Sequence, residues 1–435
     1  MEELSFIADL MRSQWASPRQ LEEDRSPLVA RLLRHAATQT EFYRERLEPL
    51  FPNGEGAEPD LSRWLDVPIV RRADVAERRN EMIARSVPAD AGAAGENASS
   101  GSTGRPLRHL RSAKADLVSA CQVERLYLNH KIDLYGSLAF ITLDMGKNYG
   151  SPAGGAFYRW NRTVSKARMF VLDIGASAAE QAEWLARVKP NHVMTYPMTL
   201  REVAEFIMGG GAPRVTFSTF ISTGETLDED TRRIVADVFG CRVVDLYAAR
   251  EIGPIAFQCP DAPGYHQCFE SVLCELVDND GKPVPAGEFG RVVVTALHNY
   301  AMPFIRYDIG DYAQASPTPC RCGRTLPYLS AIGGRARNFF IMPDGSRRRL
   351  RGLMLRDLEK LLDYRQIQFV QTATDALTVR YIPLPEGRAP EHDEITNLLR
   401  GTFHDELNVR LEPVDQIERS AGFKLEQLIS LVPGK

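Results

Sequence analysis

The chain has 435 residues, 44% of them hydrophobic and 25% charged, with a formal net charge of −4. That is longer than one ordinary core, so two or three domains are expected, and the lack of a long basic run removes nucleic acid as a suggested partner. No window approaches 18 uninterrupted apolar residues, so no membrane span is expected, and seven cysteines without a signal-peptide pattern suggest reduced thiols and a cytoplasmic location.

Residues 1–50 read as helices, because apolar positions recur at threes and fours in LVARLLRHAATQTEFYRERL. FPNGEGAEPDLS is predicted as a loop. DVPIVRRADVAERR reads as a short strand followed by a helix from about Asp74. Residues 88–106, PADAGAAGENASSGSTGRP, are small and polar and are predicted as one long loop. SAKADLVSACQVERLYLNH is predicted as a helix. From there strands (SLAFITLD, HVMTYP, TFSTFIST, CRVVDLYA) alternate with helices (SAAEQAEWLARVKP, MTLREVAEFIMGGG, LDEDTRRIVADVFG). Such alternation implies parallel β-α-β layers. After residue 270, SVLCELVD and RVVVTALH flank the turn-rich NDGKPVPAGEFG, which is antiparallel character. IGGRARNFF marks a boundary, beyond which alternating patterns suggest a small α+β domain of about 100 residues. The expected fold is α/β, with a large multi-layered N-terminal domain over 1–333 and a small α+β domain over 334–435.

SSGSTGRP (99–106) concentrates backbone freedom and hydroxyls. Such a loop can turn its amides inward as a nest for phosphate oxygens. Ser99, Ser100, Ser102 and Thr103 add donors, Gly101 and Gly104 permit close approach, and Arg105 adds charge. It lacks the GxxxxGK[ST] pattern of a P-loop, and a flexible linker has the same composition. Cys259, His266, Cys320 and Cys322 form a C-x6-H…C-x-C set. Thiolate and imidazole ligands suit tetrahedral zinc, with Cys268 as an alternative to His266. The other reading is ordinary reduced thiols near a loop.

Taken in order, six segments resemble the phenylacetate–coenzyme A ligase family of AMP-forming adenylate-forming enzymes. SSGSTGRP is similar to its phosphate loop. STGETLDEDTRR, DLYAAREIG, GEFGRVVVTALHNYAMPFIRYDIGD, CRCGRTLPYLSAIGGR and RSAGFKLEQLIS follow, covering residues 99 to 430. The resemblance implies ATP-dependent activation of a carboxylic acid as an acyl adenylate, with pyrophosphate released, and then transfer to coenzyme A or a carrier-protein phosphopantetheine. It also implies a C-terminal lid that rotates between the two half-reactions.

Roles follow residue by residue from that resemblance. The loop from Ser99 to Gly104 would cradle the β- and γ-phosphates, and Glu251 would help hold Mg²⁺. Asp245 and Tyr247 would flank adenine, with Gly224 and Glu225 beside it. Asp311 would take the ribose hydroxyls, opposite Arg335, while Arg306 braces the fold. Lys424 would bridge the carboxylate and the α-phosphate. The zinc would be structural, as in some relatives.

Three departures stand out. Arg250 replaces the usual Ser or Thr before the acid, and would contact an anionic reactant or form a structural ion pair. Arg337 and Asn338 replace hinge carboxylates. Phe423 stands where Gly usually precedes the lysine. For the acyl pocket, Tyr135, Phe140, Tyr196 and Phe220 are expected as an aromatic slot, with Asp144 or Lys147 meeting a ring substituent. The acid is expected to be aromatic. An adenylating enzyme serving an amine, or an inactive nucleotide-binding regulator, is the alternative, and a homodimer is left open.

Overall fold

Ser17, Ser112, Ser177 and Asp228 each turn a side-chain oxygen onto the amide three residues on, and a helix starts at each point. The computed structural model describes residues 2–98, 107–143, 149–335, 339–344, 347–349, 357–358, 360–388, 390–417 and 428–432. The helices are α1 (Glu2–Ser13), α2 (Pro18–Gln39), α3 (Glu41–Arg46), α4 (Arg72–Glu77), α5 (Arg79–Met82), α6 (Ala113–Asn129), α7 (Ala178–Val188), α8 (Pro197–Met208), α9 (Glu229–Phe239) and α10 (His392–Thr402).

A first hairpin pairs β1 (Ala94–Ala98) with β2 (Arg108–Ser112). The main sheet then takes β3 (Leu138–Thr142), β4 (Gly155–Tyr158), β5 (Arg168–Asp173), β6 (His192–Thr195), β7 (Thr219–Thr223), β8 (Arg242–Ala249) and β9 (Gly253–Gln258). It continues with β10 (Tyr265–Gln267), β11 (Val272–Val277), β12 (Phe289–Ala296), β13 (Tyr307–Ala315) and β14 (Tyr328–Arg335). These twelve run in the order β11-β12-β13-β14-β10-β9-β8-β7-β6-β3-β5-β4. Neighbours from β8 through β5 are parallel, as the strand–helix alternation predicts. The β9 to β14 half is antiparallel.

Successive residues of a strand face opposite sides, which sorts the core. On β7, Phe220 packs with Leu185, Val203 and Phe239 from α7–α9. Ile221 packs on the other face with Leu126 and Tyr127 of α6. A separate core joins α2 and α3 to the antiparallel half. Arg306, 2% exposed, braces that half: it donates to the carbonyls of Val67 (2.7 Å), Leu65 and Gly281, and pairs with Glu275 at 3.1 Å.

After β14, β15 (Phe339–Ile341) pairs with β16 (Arg347–Arg349). A four-stranded sheet follows from β17 (Tyr364–Ala373), β18 (Ala376–Pro383), β19 (Asn408–Pro413) and β20 (Leu428–Ser430), in the order β19-β18-β17-β20. Together with α10 it encloses its own core around Phe369, Val379 and Leu399. Against the main sheet, Ile382 and Ile417 pack with Met198 at the start of α8, and Gln366 donates to Glu202 at 3.1 Å. A cleft of about 640 Å³ runs between α8 and residues 362–366.

The predicted 88–106 loop is corrected in part, because residues 94–98 form β1. AGENA carries no apolar alternation, and it is the backbone ladder to β2 that makes it a strand.

Candidate active site and metal centre

Parallel strands β6, β7 and β8 end together, and there the predicted site residues gather. Gly224 follows β7 with φ +79°, and a Cβ on it would stand 2.6 Å from Cε1 of Tyr196, which follows β6. Only glycine admits that ring. Burial raises the pKa of the Tyr196 phenol. Glu225 accepts from the Met198 amide at 3.4 Å.

Three carboxylates are each held by a tyrosine hydroxyl. Tyr265 donates to Asp245 Oδ2 at 2.6 Å, Tyr247 to Asp311 Oδ2 at 3.0 Å, and Tyr307 to Glu251 Oε1 at 3.1 Å. Asp245 and Glu251 are each 6% exposed. Burial pushes the Asp245 carboxyl above the usual carboxylate range, against the side-chain hydrogen bonds it receives from Tyr265 and Ser222. Burial, then the charge of Glu251, raises Tyr307 well above an ordinary phenol. Asp311 on β13 lies in register with Arg335 at the end of β14.

Sequence reading missed Tyr265, Tyr307, Met198 and Arg111. The tyrosines lie 20 and 56 residues from their carboxylates. Only Tyr307 sits inside a recognised motif, where it could have been named.

Arg250 donates Nη1 to the Ala98 carbonyl at 3.2 Å, immediately before residues 99–106. The loop residues Ser99, Ser100, Gly101, Ser102, Thr103 and Gly104, with Arg105, lie outside the described residues, as do Asp144, Lys147, Arg337, Asn338 and Lys424.

The aromatic slot is corrected. Tyr135 is 83% exposed and precedes β3, at the end of the sheet opposite the strand termini just described. Phe220 is fully buried against α7–α9, because its position on β7 faces the helix layer. Phe140 sits mid-strand on β3, in register with Met194 on β6. Only Tyr196 of the four stands at the site.

The second cluster is closed. The ligand atoms of Cys259, His266, Cys320 and Cys322 lie within 4.8 Å of one another. Cys259 Sγ and Cys320 Sγ are 3.7 Å apart, and His266 Nε2 is 3.2 Å from Cys322 Sγ. A tetrahedral zinc with Zn–S of about 2.3 Å holds its sulfurs roughly 3.8 Å apart, so the donor set fits that ion. His266 Nδ1 donates to the Leu326 carbonyl at 3.4 Å, which fixes Nε2 as the ligand nitrogen. Burial depresses the His266 pKa to about 4, keeping the imidazole neutral. At Cys322 burial opposes ionisation, but the Arg324 amide and neighbouring thiols outweigh it and lower the pKa. The Asp261 and Arg324 amides donate to Cys259 and Cys322 sulfur, each at 3.4 Å.

The fold is that of the adenylate-forming acid–CoA ligases. The structure of 2-hydroxyisobutyryl-CoA ligase, in complex with R3-HIB-AMP, superposes with a TM-score of 0.73 at 19% identity, covering 96% of this chain and 91% of that one. Anthranilate CoA ligase in complex with anthranoyl-AMP superposes at 0.55 with 17% identity, covering 76% and 65%. In sequence, the chain is similar to phenylacetate-coenzyme A ligase from Escherichia coli (strain K12), 26% identical over 175 residues. That match spans 39% of this chain and 39% of the relative. No family model matches.

Proposed function

We propose that the protein joins a carboxylic acid to the α-phosphate of ATP, releases pyrophosphate, and passes the acyl group to coenzyme A. The observation that carries this reading is the convergence of Gly224, Glu225, Tyr247–Asp311 and Tyr307–Glu251 on one end of the parallel strands. Ligands of open α/β sheets bind at that end.

The Asp245 carboxyl, oriented by Tyr265, suits the exocyclic amine of adenine. Asp311, oriented by Tyr247, suits a vicinal diol. Mg²⁺, when bound, neutralises phosphate charge and prefers oxygen ligands, and Glu251 is the carboxylate that would hold it. Tyr307 orients that carboxylate without cancelling its charge. The two reactants are anions, so Lys424 is assigned the remaining task of drawing them together. Residues 334–435 would act as the lid.

The names of two similar proteins, phenylacetate and anthranilate ligase, support an aromatic acid. The Cys259–His266–Cys320–Cys322 cluster is read as a structural zinc site, since four protein ligands leave no open position.

Pyrophosphate exchange against a panel of aryl and short hydroxy acids tests the reading. Exchange followed by a CoA thioester supports it. Exchange without thioester moves the acceptor to a carrier-protein thiol or an amine. No exchange with any acid favours a nucleotide-binding regulator. Lys424→Ala should lower exchange by roughly a hundredfold or more while ATP still binds.

A further inference from the structure

The two strands bounding residues 99–106 both reach the turn that carries Glu251. β1 and β2 pair antiparallel from Ala94↔Ser112 to Ala98↔Arg108. On the first arm, the Ala98 carbonyl accepts from Arg250 Nη1 at 3.2 Å. On the second arm, Arg111 donates Nη1 to the Glu251 carbonyl at 3.1 Å.

Arg111 is 4% exposed, and the rest of its fork is engaged. Nε donates to Asp116 Oδ1 at 2.6 Å, and Nη2 to the Ala115 carbonyl at 3.1 Å and Ser119 Oγ at 2.7 Å. Asp116, Ala115 and Ser119 all belong to the first two turns of α6. The turn comes so close that Gly253, with φ +99°, has no room for a side chain: a Cβ would collide with Ser119 Oγ and meet Arg111 Nη2 at 3.4 Å. One planar guanidinium thus ties β2, α6 and the Glu251 turn together. A lysine, with a single nitrogen, cannot satisfy acceptors spread over α6 and the Glu251 turn at once.

Holding the end of β1 and Arg111 of β2 against that turn places the Glu251 main chain relative to the hairpin.

We propose that Arg111 and Arg250 form a two-armed clamp that sets the Glu251 turn against the β1–β2 hairpin and α6, with Arg111 a positioning residue acting through the Glu251 main chain. The proposal rests on the reading of Glu251 as the magnesium carboxylate.

The test measures ATP binding calorimetrically, with Mg²⁺ and with EDTA, alongside melting temperature, in the full chain. Wild type should bind ATP more tightly with Mg²⁺. Arg111→Lys should need about tenfold more Mg²⁺ for half-saturation, about 1.4 kcal/mol, while binding in EDTA stays within about twofold. Arg250→Ser should shift the same requirement about threefold, half that free energy. In exchange assays both should raise the KM for Mg·ATP more than they lower kcat. Should Arg111→Lys fail to fold, the exposed Arg250→Ser decides. Variants that lower only the melting temperature, with wild-type Mg²⁺ dependence, overturn the clamp while sparing the function. Wild type indifferent to Mg²⁺ overturns the Glu251 reading, and the clamp with it.

Discussion

The strand-end site and the antiparallel half of the same sheet hold their carboxylates in opposite ways. At the strand ends, Asp245, Glu251 and Asp311 each accept from a tyrosine hydroxyl. In the antiparallel half and its flank, Glu275, Asp308 and Glu270 each take an arginine: Arg306 at 3.1 Å, Arg291 at 2.6 Å and Arg125 at 2.8 Å. A phenol orients a carboxylate and leaves its charge available, whereas a guanidinium orients and neutralises it. The first arrangement suits a group that must meet a cation or a ribose. The second suits a group that must stay where it is. Removing the partner should therefore cost stability in one region and ligand affinity in the other.

The largest expected effect is on the framework side. Arg306→Ala leaves Glu275, whose carboxyl burial already pushes up against the pull of Arg306, without its cation, and strands the carbonyls of Val67 and Leu65. Breaking a buried pair this way costs about 3–5 kcal/mol, which chemical denaturation would read directly. A change below about 1 kcal/mol would mean the pair is not a brace.

The metal clip comes next. Its four ligand atoms belong to strand ends and loops 61 residues apart in sequence, Cys259 and Cys320 being joined across that gap. Zinc bound there crosslinks them. Protein purified without chelator should carry one zinc per chain by elemental analysis, and its removal should lower the melting temperature by several degrees. The loop after Cys322 also meets the residue that follows α1: Gln14 accepts from the Arg324 Nε at 3.1 Å, and its carbonyl from the Thr325 amide at 3.0 Å. Loosening should spread to the N-terminal helix, seen as faster amide exchange over residues 2–13. Substoichiometric metal would leave three ordinary thiols and a histidine.

How far the sequence reveals this division depends on the reach of each interaction. Strand–helix alternation made the parallel half legible, because apolar periodicity records which side of a segment faces a layer. Ordered motifs made Glu251, Tyr247 and Asp311 legible as a set. What periodicity does not record is the direction of a segment relative to the site. Tyr135 looked like a pocket residue by proximity to β3 but precedes it, at the far end. Phe220 belongs to the right strand and the wrong face. The tyrosine partners were missed for another reason: Tyr265 and Tyr307 come from β10 and β13, and although Tyr307 lies inside a motif, only the antiparallel return of the sheet brings the two back to β8 and the turn beyond it. β1 escaped because AGENA has nothing apolar to alternate.

Acidification should act more gently, and on both regions at once. His35, His109, His130, His192, His266 and His298 all have pKa values depressed by burial. Unfolded, such groups take a proton near pH 6.5; folded, they resist it, His266 down to about 4. The unfolded chain therefore binds more protons below pH 6.5, and stability falls as pH falls through that window. Melting temperature should drop by a few degrees between pH 7.5 and 6 and more steeply beneath. A flat profile over that range would mean these imidazoles are not held neutral.

The smallest effect is the most diagnostic. Tyr247→Phe keeps the ring at the end of β8 and deletes only the hydroxyl that donates to Asp311 at 3.0 Å. A hydrogen bond to a charged group is worth about 1.5–3 kcal/mol net, and at the low end of that range the KM for ATP should rise about tenfold. The melting temperature should hardly move, because Asp311 can be solvated where it stands. If kcat falls as far as kcat/KM while KM holds, the hydroxyl acts in the transition state and not in holding ribose. If instead stability falls by the amount expected of Arg306→Ala, Asp311 is a framework carboxylate after all, and the division between phenol-held and guanidinium-held acids fails at the residue where it is easiest to measure.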